Sequence, residues 1–122
     1  MLKIKKSKNK KRLIPTEIEF LKYTPKRVNL EWEINSIGIV EIKIPKFKSN
    51  FGKSFCRVIK KENYFIGKMD KLGSIVWKNC DGVNTVKDIL EILKKEYRDE
   101  NNINQRLYLF IQQLHNLRYI YL

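Results

Sequence analysis

The side chains that can carry out nucleophilic, acid-base or metal chemistry are few in this chain and widely spaced. Its two cysteines, Cys56 and Cys80, are 24 residues apart, and His115 is the single histidine. That spacing does not fit a four-ligand zinc site, and we expect both thiols to be free and reduced. The sequence also contains no H-E-x-x-H, G-x-x-x-x-G-K-[ST] or G-x-G-x-x-G motif, and no serine, histidine and aspartate in a plausible order. We therefore expect no enzymatic activity, no metal and no cofactor.

Two carboxylates and the histidine each have a structural interpretation. Asp81 and Asp88 lie at predicted helix termini, where a carboxylate satisfies free backbone amides. His115 lies alone on the shoulder of a predicted helix, which favours a surface contact over a general base.

The formal charge of +13 is unevenly distributed along the 122 residues. Residues 1–12 contain seven Lys and Arg and no acidic residue, whereas residues 62–122 contain nine basic and eight acidic residues. A basic arm of this kind attracts polyanions without specificity. Because the helical half is almost neutral, the charge pattern disfavours nucleic acid as the main partner.

The sequence contains no apolar run of the roughly 20 residues that a transmembrane helix needs. The basic N-terminus lacks the apolar core of a signal peptide. We expect a cytoplasmic protein without a membrane partner.

The stretch from Asp70 to Leu93 predicts two helices joined by a tight turn, over 70–80 and 85–98. Asp70 and Thr85 are predicted N-caps, and Gly82 suits the turn between the helices. The apolar positions that follow Asp70 and Thr85 recur at helical spacing.

Alternating apolar and polar residues predict a hairpin over 28–45, because period two is typical of half-buried strands. Its Glu and Lys side chains are expected to pair across the strands. A short third strand is predicted over 63–69.

The last helix is predicted over 103–117, with Asn102 and Gln105 as a capping box. Its core stripe is expected to contain Ile103, Leu107, Phe110, Leu114 and Leu117. Tyr108, Ile111 and His115 are predicted to lie together on a shoulder beside this stripe. The apolar segment 118–122 is expected to pack back onto the core.

Two segments have no place in this arrangement. The spacing of Phe47, Phe51, Phe55, Val58 and Ile59 predicts an additional helix over 47–60 that covers the core. Residues 1–20 are predicted to form a basic, flexible arm, which leaves residues 21–122 as one domain. Between Pro15 and Pro25, Thr16 and Glu19 have the spacing of a cap for a short helix.

The pattern D-x-x-G-x-x-x-W-x-x-x-D-G-x-x-T, with a strand before it and an amphipathic helix after it, resembles the PqqD family. The positions that carry the resemblance are Met69, Asp70, Gly73, Trp77, Asp81, Gly82, Thr85, Ile89, Phe110, Leu114 and Ile120. These proteins are peptide chaperones of pyrroloquinoline quinone biosynthesis and the related RiPP recognition elements.

The resemblance implies an α+β fold of winged helix-turn-helix type, with a three-stranded antiparallel sheet followed by a three-helix bundle. It implies a non-catalytic protein that captures the leader of a ribosomally made precursor peptide and presents it to a modifying enzyme, such as a radical SAM protein. In the family the leader adds as a strand to the edge of the third strand and leans on the third helix. Transferred to this chain, the peptide contacts are Tyr64, Ile66, Lys68, Tyr108, Ile111 and His115.

Two other uses of the same fold remain open at this point. One is a winged-helix nucleic-acid-binding domain, and the other is a general protein-interaction domain. An exposed third strand can also pair with itself in a homodimer.

Overall fold

The computed structural model describes residues 16–48 and 56–122. Within these ranges the chain is a mixed α+β fold with two antiparallel sheets and four α-helices. The helices are α1 Glu17–Leu21, α2 Lys71–Asn79, α3 Val86–Glu96 and α4 Ile103–Asn116. The strands are β1 Lys26–Arg27, β2 Trp32–Ile34, β3 Val40–Pro45, β4 Arg57–Lys60, β5 Tyr64–Lys68 and β6 Ile120–Tyr121.

The larger sheet has four strands in the order β2-β3-β5-β4, one more than the sequence predicts. Along β3, Val40, Ile42 and Ile44 are fully buried, whereas Lys43 faces solvent. The buried face packs on the helices, and the Val40 amide donates to Ser74 Oγ of α2 at 2.8 Å. The predicted pairing of Glu and Lys across the hairpin is present, since Lys43 Nζ lies 3.3 Å from Glu31.

Side-chain caps define the start of α2 and α3. Asp70 Oδ1 accepts from the Gly73 amide at 2.7 Å, and Thr85 and Asp88 form a reciprocal capping box. The capping box predicted at Asn102 and Gln105 is absent, because the Asn102 side chain makes no cap hydrogen bond. The helix of 14 residues instead begins with Ile103 buried in the core.

A tight turn joins α2 to α3. Asp81 Oδ1 accepts from the amides of Val83 and Asn84 at 2.9 and 2.8 Å. These backbone hydrogen bonds hold the pKa of Asp81 below its usual value. Gly82 has φ of +81°, where a side chain would be strained. Asp81 therefore organises the turn.

The two ends of the described chain meet in the small sheet of β1 and β6. The Arg27 side chain donates to the carbonyls of Trp77 and Lys78 at 2.8 and 3.0 Å, at the C-terminus of α2. Tyr119 and Ile120 are buried, so the end of the chain packs on the core as the sequence predicts.

One of the two tryptophans of the chain lies in the core and the other packs against it. Trp77 on α2 is fully buried, and Trp32 on β2 packs edge-on against it with ring centroids 6.4 Å apart. This contact joins the sheet to the helices.

The N-terminal segment agrees with its prediction in part, whereas the inserted segment differs from its prediction. The short helix predicted from Thr16 and Glu19 is confirmed as α1, which begins with a reciprocal capping box of these two residues and buries Phe20, so residues 16–20 are not part of a flexible arm. Residues 1–15 of the predicted arm lie outside the described residues. The predicted helix over 47–60 is wrong at both described ends. Lys46–Lys48 is a 3₁₀ turn with Phe47 exposed, 57–60 is strand β4, and 49–55 lies outside the described residues.

Across the two described ranges, none of the helices has the length and apolar character needed to cross a bilayer.

Candidate functional site

Strand β5, the predicted docking strand, is an inner strand of the sheet. Gly67 pairs with Ile42 of β3 on one side and with Val58 of β4 on the other. The free edges of the four-stranded sheet are therefore β2 and β4, and the prediction that the third strand is an exposed edge is wrong. The physical reason is the backbone pairing of 57–60, which the helical spacing of the aromatic residues before it concealed.

The three predicted peptide contacts on β5 lie on the face of the sheet opposite to the helices. Lys43 Nζ is 4.5 Å from the centroid of the Tyr64 ring, and Lys68 Nζ is 3.7 Å from Glu41. Tyr64 and Ile66 line a shallow depression of about 460 Å³ together with Glu31, Glu33 and Glu41. This face carries side chains for polar and apolar contacts but no buried chemical centre.

The three predicted contacts on α4 are separated from one another. Ile111 is fully buried, so its assignment to the shoulder is wrong; it follows Leu107 by four residues and precedes Leu114 by three, which makes it part of a wide core stripe. Tyr108 packs edge-on against Phe20 of α1, with ring centroids 5.3 Å apart. His115 is exposed.

Tyr108 connects α4 to α1 through its hydroxyl, which donates to Glu17 Oε2 at 2.7 Å. Burial and this hydrogen bond raise the pKa of Tyr108 to about 12. The six predicted contacts therefore occupy the outer face of the sheet, the core, the α1–α4 contact and an exposed turn of α4. The structure does not bring them together on one surface.

The residues that the sequence interpretation missed lie where β4 meets β5. A Cβ on Gly67 would lie 2.8 Å from Cys56 Sγ and 3.1 Å from Ile44 Cδ1, so only glycine admits the Cys56 side chain here. Val58 is half-buried beside them. The signals in the sequence were the alternation of Cys56 and Val58 and the polar residues 60–63, of which 61–63 form the hairpin connection to β5.

Neither cysteine is activated for chemistry. Burial raises the pKa of the Cys56 and Cys80 thiols from 9.0 to about 12, and both are free. Since the thiolate is the reactive form, both thiols are inert while they remain buried.

Comparison with known proteins gives the same assignment for the second half of the chain. The sequence model of the PqqD family, described as coenzyme PQQ synthesis protein D, matches residues 59–120. This span runs from the last part of β4 through β5 and the three helices α2 to α4 into β6. The searches of curated proteins and of solved structures found no significant match. With half of its residues in that match and the expected strand and helices in order, the chain belongs to the PqqD family.

Proposed function

We propose that this chain is a non-catalytic peptide-binding protein that captures the leader of a ribosomally synthesised precursor peptide and presents it to a modifying enzyme, such as a radical SAM protein. The observation that carries this proposal is the PqqD match over β5 and the helices that follow, on a protein whose sheet ends in a short, exposed strand.

The binding mode in this proposal is strand addition. An extended peptide pairs its backbone with a sheet edge, which supplies affinity, and alternate side chains supply specificity. The winged helix-turn-helix arrangement is part of the proposal: α2 and α3 with their tight turn support α4, and the sheet is the wing. In this arrangement Tyr64, Ile66 and Lys68 remain proposed contacts on the outer face of the sheet, and the exposed His115 is a separate proposed contact on α4. Tyr108 is not retained, because its ring and hydroxyl already contact Phe20 and Glu17 of α1.

Amide chemical shifts test the proposal directly. We expect peptides from short reading frames beside the gene to shift the amides of residues 57–68, because a paired strand changes their hydrogen bonding. The salt dependence of the same titration separates a peptide from nucleic acid, whose affinity falls steeply as salt is added.

A pair of variants tests the contribution of α4. His115→Ala is expected to weaken peptide binding by about 1 kcal/mol or less, as an exposed contact at the rim of an interface does. Val83→Ala, in the exposed turn between α2 and α3, is the matched control and should bind as the wild type does. Shifts that avoid both β4 and β5 would contradict the proposal, and so would a loss of binding in Val83→Ala alone.

A further inference from the structure

The connection between β3 and β5 is much longer than their geometry requires. The two strands are paired neighbours, with Pro45 opposite Tyr64 at the connected ends. Two residues are enough for a hairpin between antiparallel strands, yet residues 46–63 lie between these two. Within this connection, residues 57–60 form β4, which pairs with β5 on the side away from β3. The connection therefore places a segment of the chain itself along the edge that β5 would otherwise expose.

Strand β4 holds this edge with the same backbone hydrogen bonds that an added peptide would use. The Lys61 amide donates to the Tyr64 carbonyl at 2.8 Å. Because antiparallel hydrogen bonds alternate along a strand, the amides of Arg57 and Ile59 also point toward β5, and those of Val58 and Lys60 point to the free side.

The side chains of β4 make few contacts that would hold it in place. Arg57, Ile59 and Lys60 are exposed, and Val58 is only half-buried. The register sets Arg57 directly opposite Lys68, and like charges in that position destabilise a strand pair. Glu41 of β3, which lies 3.7 Å from Lys68 Nζ on the other side, offsets part of this repulsion. The buried anchor is Cys56, which lies over the hollow at Gly67 just before the strand begins.

We propose, on the basis of the peptide-binding function above, that β4 is an exchangeable occupant of the β5 edge, and that the peptide replacing it has a small residue, an acidic residue and a β-branched residue in the places of Cys56, Arg57 and Val58. The small residue fills the hollow over Gly67, and the β-branched residue takes the half-buried position of Val58. The acidic residue faces Lys68, where β4 itself presents a like charge. This difference favours the incoming peptide over β4.

Two labelled peptides and two proline variants test the exchange. The probes are a synthetic peptide of residues 56–63 and the same peptide with Arg57→Glu, titrated in reducing buffer and followed by fluorescence anisotropy. Ile59→Pro removes an amide that faces β5, whereas Lys60→Pro removes one that faces the free side and is the matched control. We expect Ile59→Pro to bind both probes at least about tenfold more tightly than the wild type, because it increases the fraction of chains with a vacant β5 edge.

The other outcomes each overturn a stated part of the proposal. Loss of binding in Lys60→Pro, with no gain in Ile59→Pro, would mean that peptides add outside β4 rather than replace it. Equal binding of the two probes would overturn the acidic position. If neither probe binds any of the three proteins, the β5 edge is not exchangeable, although leader binding measured by chemical shift can still stand.

Hydrogen exchange of the free wild-type protein tests the exchange without any peptide and without reliance on a variant that could misfold. The amides of Ile59 and Lys61, which bond β4 to β5, should exchange at least about tenfold faster than those of Ile42 and Ile44 in the same sheet, because local opening of β4 needs less than global unfolding. Equal protection of the two sets would overturn the proposal.

Discussion

Ile111 and Leu109 lie on the same helix, one in the core and the other on the surface. Ile111 is fully buried, whereas Leu109, two residues earlier, is 58% exposed. The sequence correctly placed Leu107 and Leu114 on the buried apolar face of α4. It predicted this face as too narrow, because it left out Ile111. Because α4 packs on both α3 and β6, it needs an apolar face wider than one residue per turn.

Truncation of these two leucine-sized side chains separates the two positions. Ile111→Ala should lower the free energy of unfolding by about 2–5 kcal/mol, because it leaves a cavity in the core. Leu109→Ala should change it by no more than about 0.5 kcal/mol, as exposed substitutions usually do. Urea unfolding of both variants measures the difference. Equal free energies of unfolding would mean that Ile111 is a surface residue after all.

Most of the individual residues governed by a local rule were predictable, with the absent capping box at Asn102 and Gln105 as the exception. The Asp70 cap, the Thr85 and Asp88 box and the Asp81 turn depend on neighbours within four residues, and the structure contains all three. The hollow at Gly67 was not predictable, because it depends on Cys56, 11 residues away and across a strand pair.

At the scale of elements, length and periodicity identified the helices and the hairpin but not β4. A strand of four residues has too few positions for its period to be read, and the phenylalanines before it supplied a competing helical spacing. Residues 57–60 form a strand because β5 is available as a pairing partner. The hydrogen bond from the Lys61 amide to the Tyr64 carbonyl closes the hairpin between the two strands. Because β4 was not predicted, β5 was wrongly expected to be an exposed edge of the sheet.

Caps are the element-scale feature that can be tested most cleanly. Asp70→Ala should destabilise the protein by about 0.5–2 kcal/mol, because the Gly73 amide loses its acceptor. Asn102→Ala should have almost no effect, because that side chain makes no cap hydrogen bond. Thermal melting of the two variants checks this, and a comparable loss in Asn102→Ala would mean that α4 is capped in solution.

At the scale of the whole molecule, hydrogen bonds join segments that are far apart in the chain. The Val28 amide donates to the Tyr119 carbonyl, and the Arg27 amide donates to the Cys80 carbonyl, both at 3.0 Å. β1, the end of α2 and β6 therefore form one unit beside the core. No sequence pattern predicts a pairing of two-residue strands so far apart in the chain.

The buried thiols and phenols of the interior predict that the folded protein loses stability at alkaline pH. Burial raises the pKa of Cys56, Cys80, Tyr108 and Tyr119 to about 12. Each folded pKa exceeds its unfolded value, so these groups favour folding fully below pH 9, and that contribution is lost progressively as the pH rises toward 12. The melting temperature should fall across this range, and Cys80→Ala should show a shallower fall than the wild type. Parallel slopes would show that Cys80 does not contribute.

The edge-on contact of Trp32 and Trp77 gives this protein an optical property of its own. Since these are the two tryptophans of the chain, all of its indole fluorescence arises where β2 meets α2. Trp77, fully buried and without an acceptor for its Nε1 among the described residues, emits from an apolar environment, whereas Trp32 is only partly shielded. A shift of the emission maximum therefore reports separation of the sheet from the helices, and an event confined to β4, at the opposite edge of the sheet, leaves the spectrum unchanged.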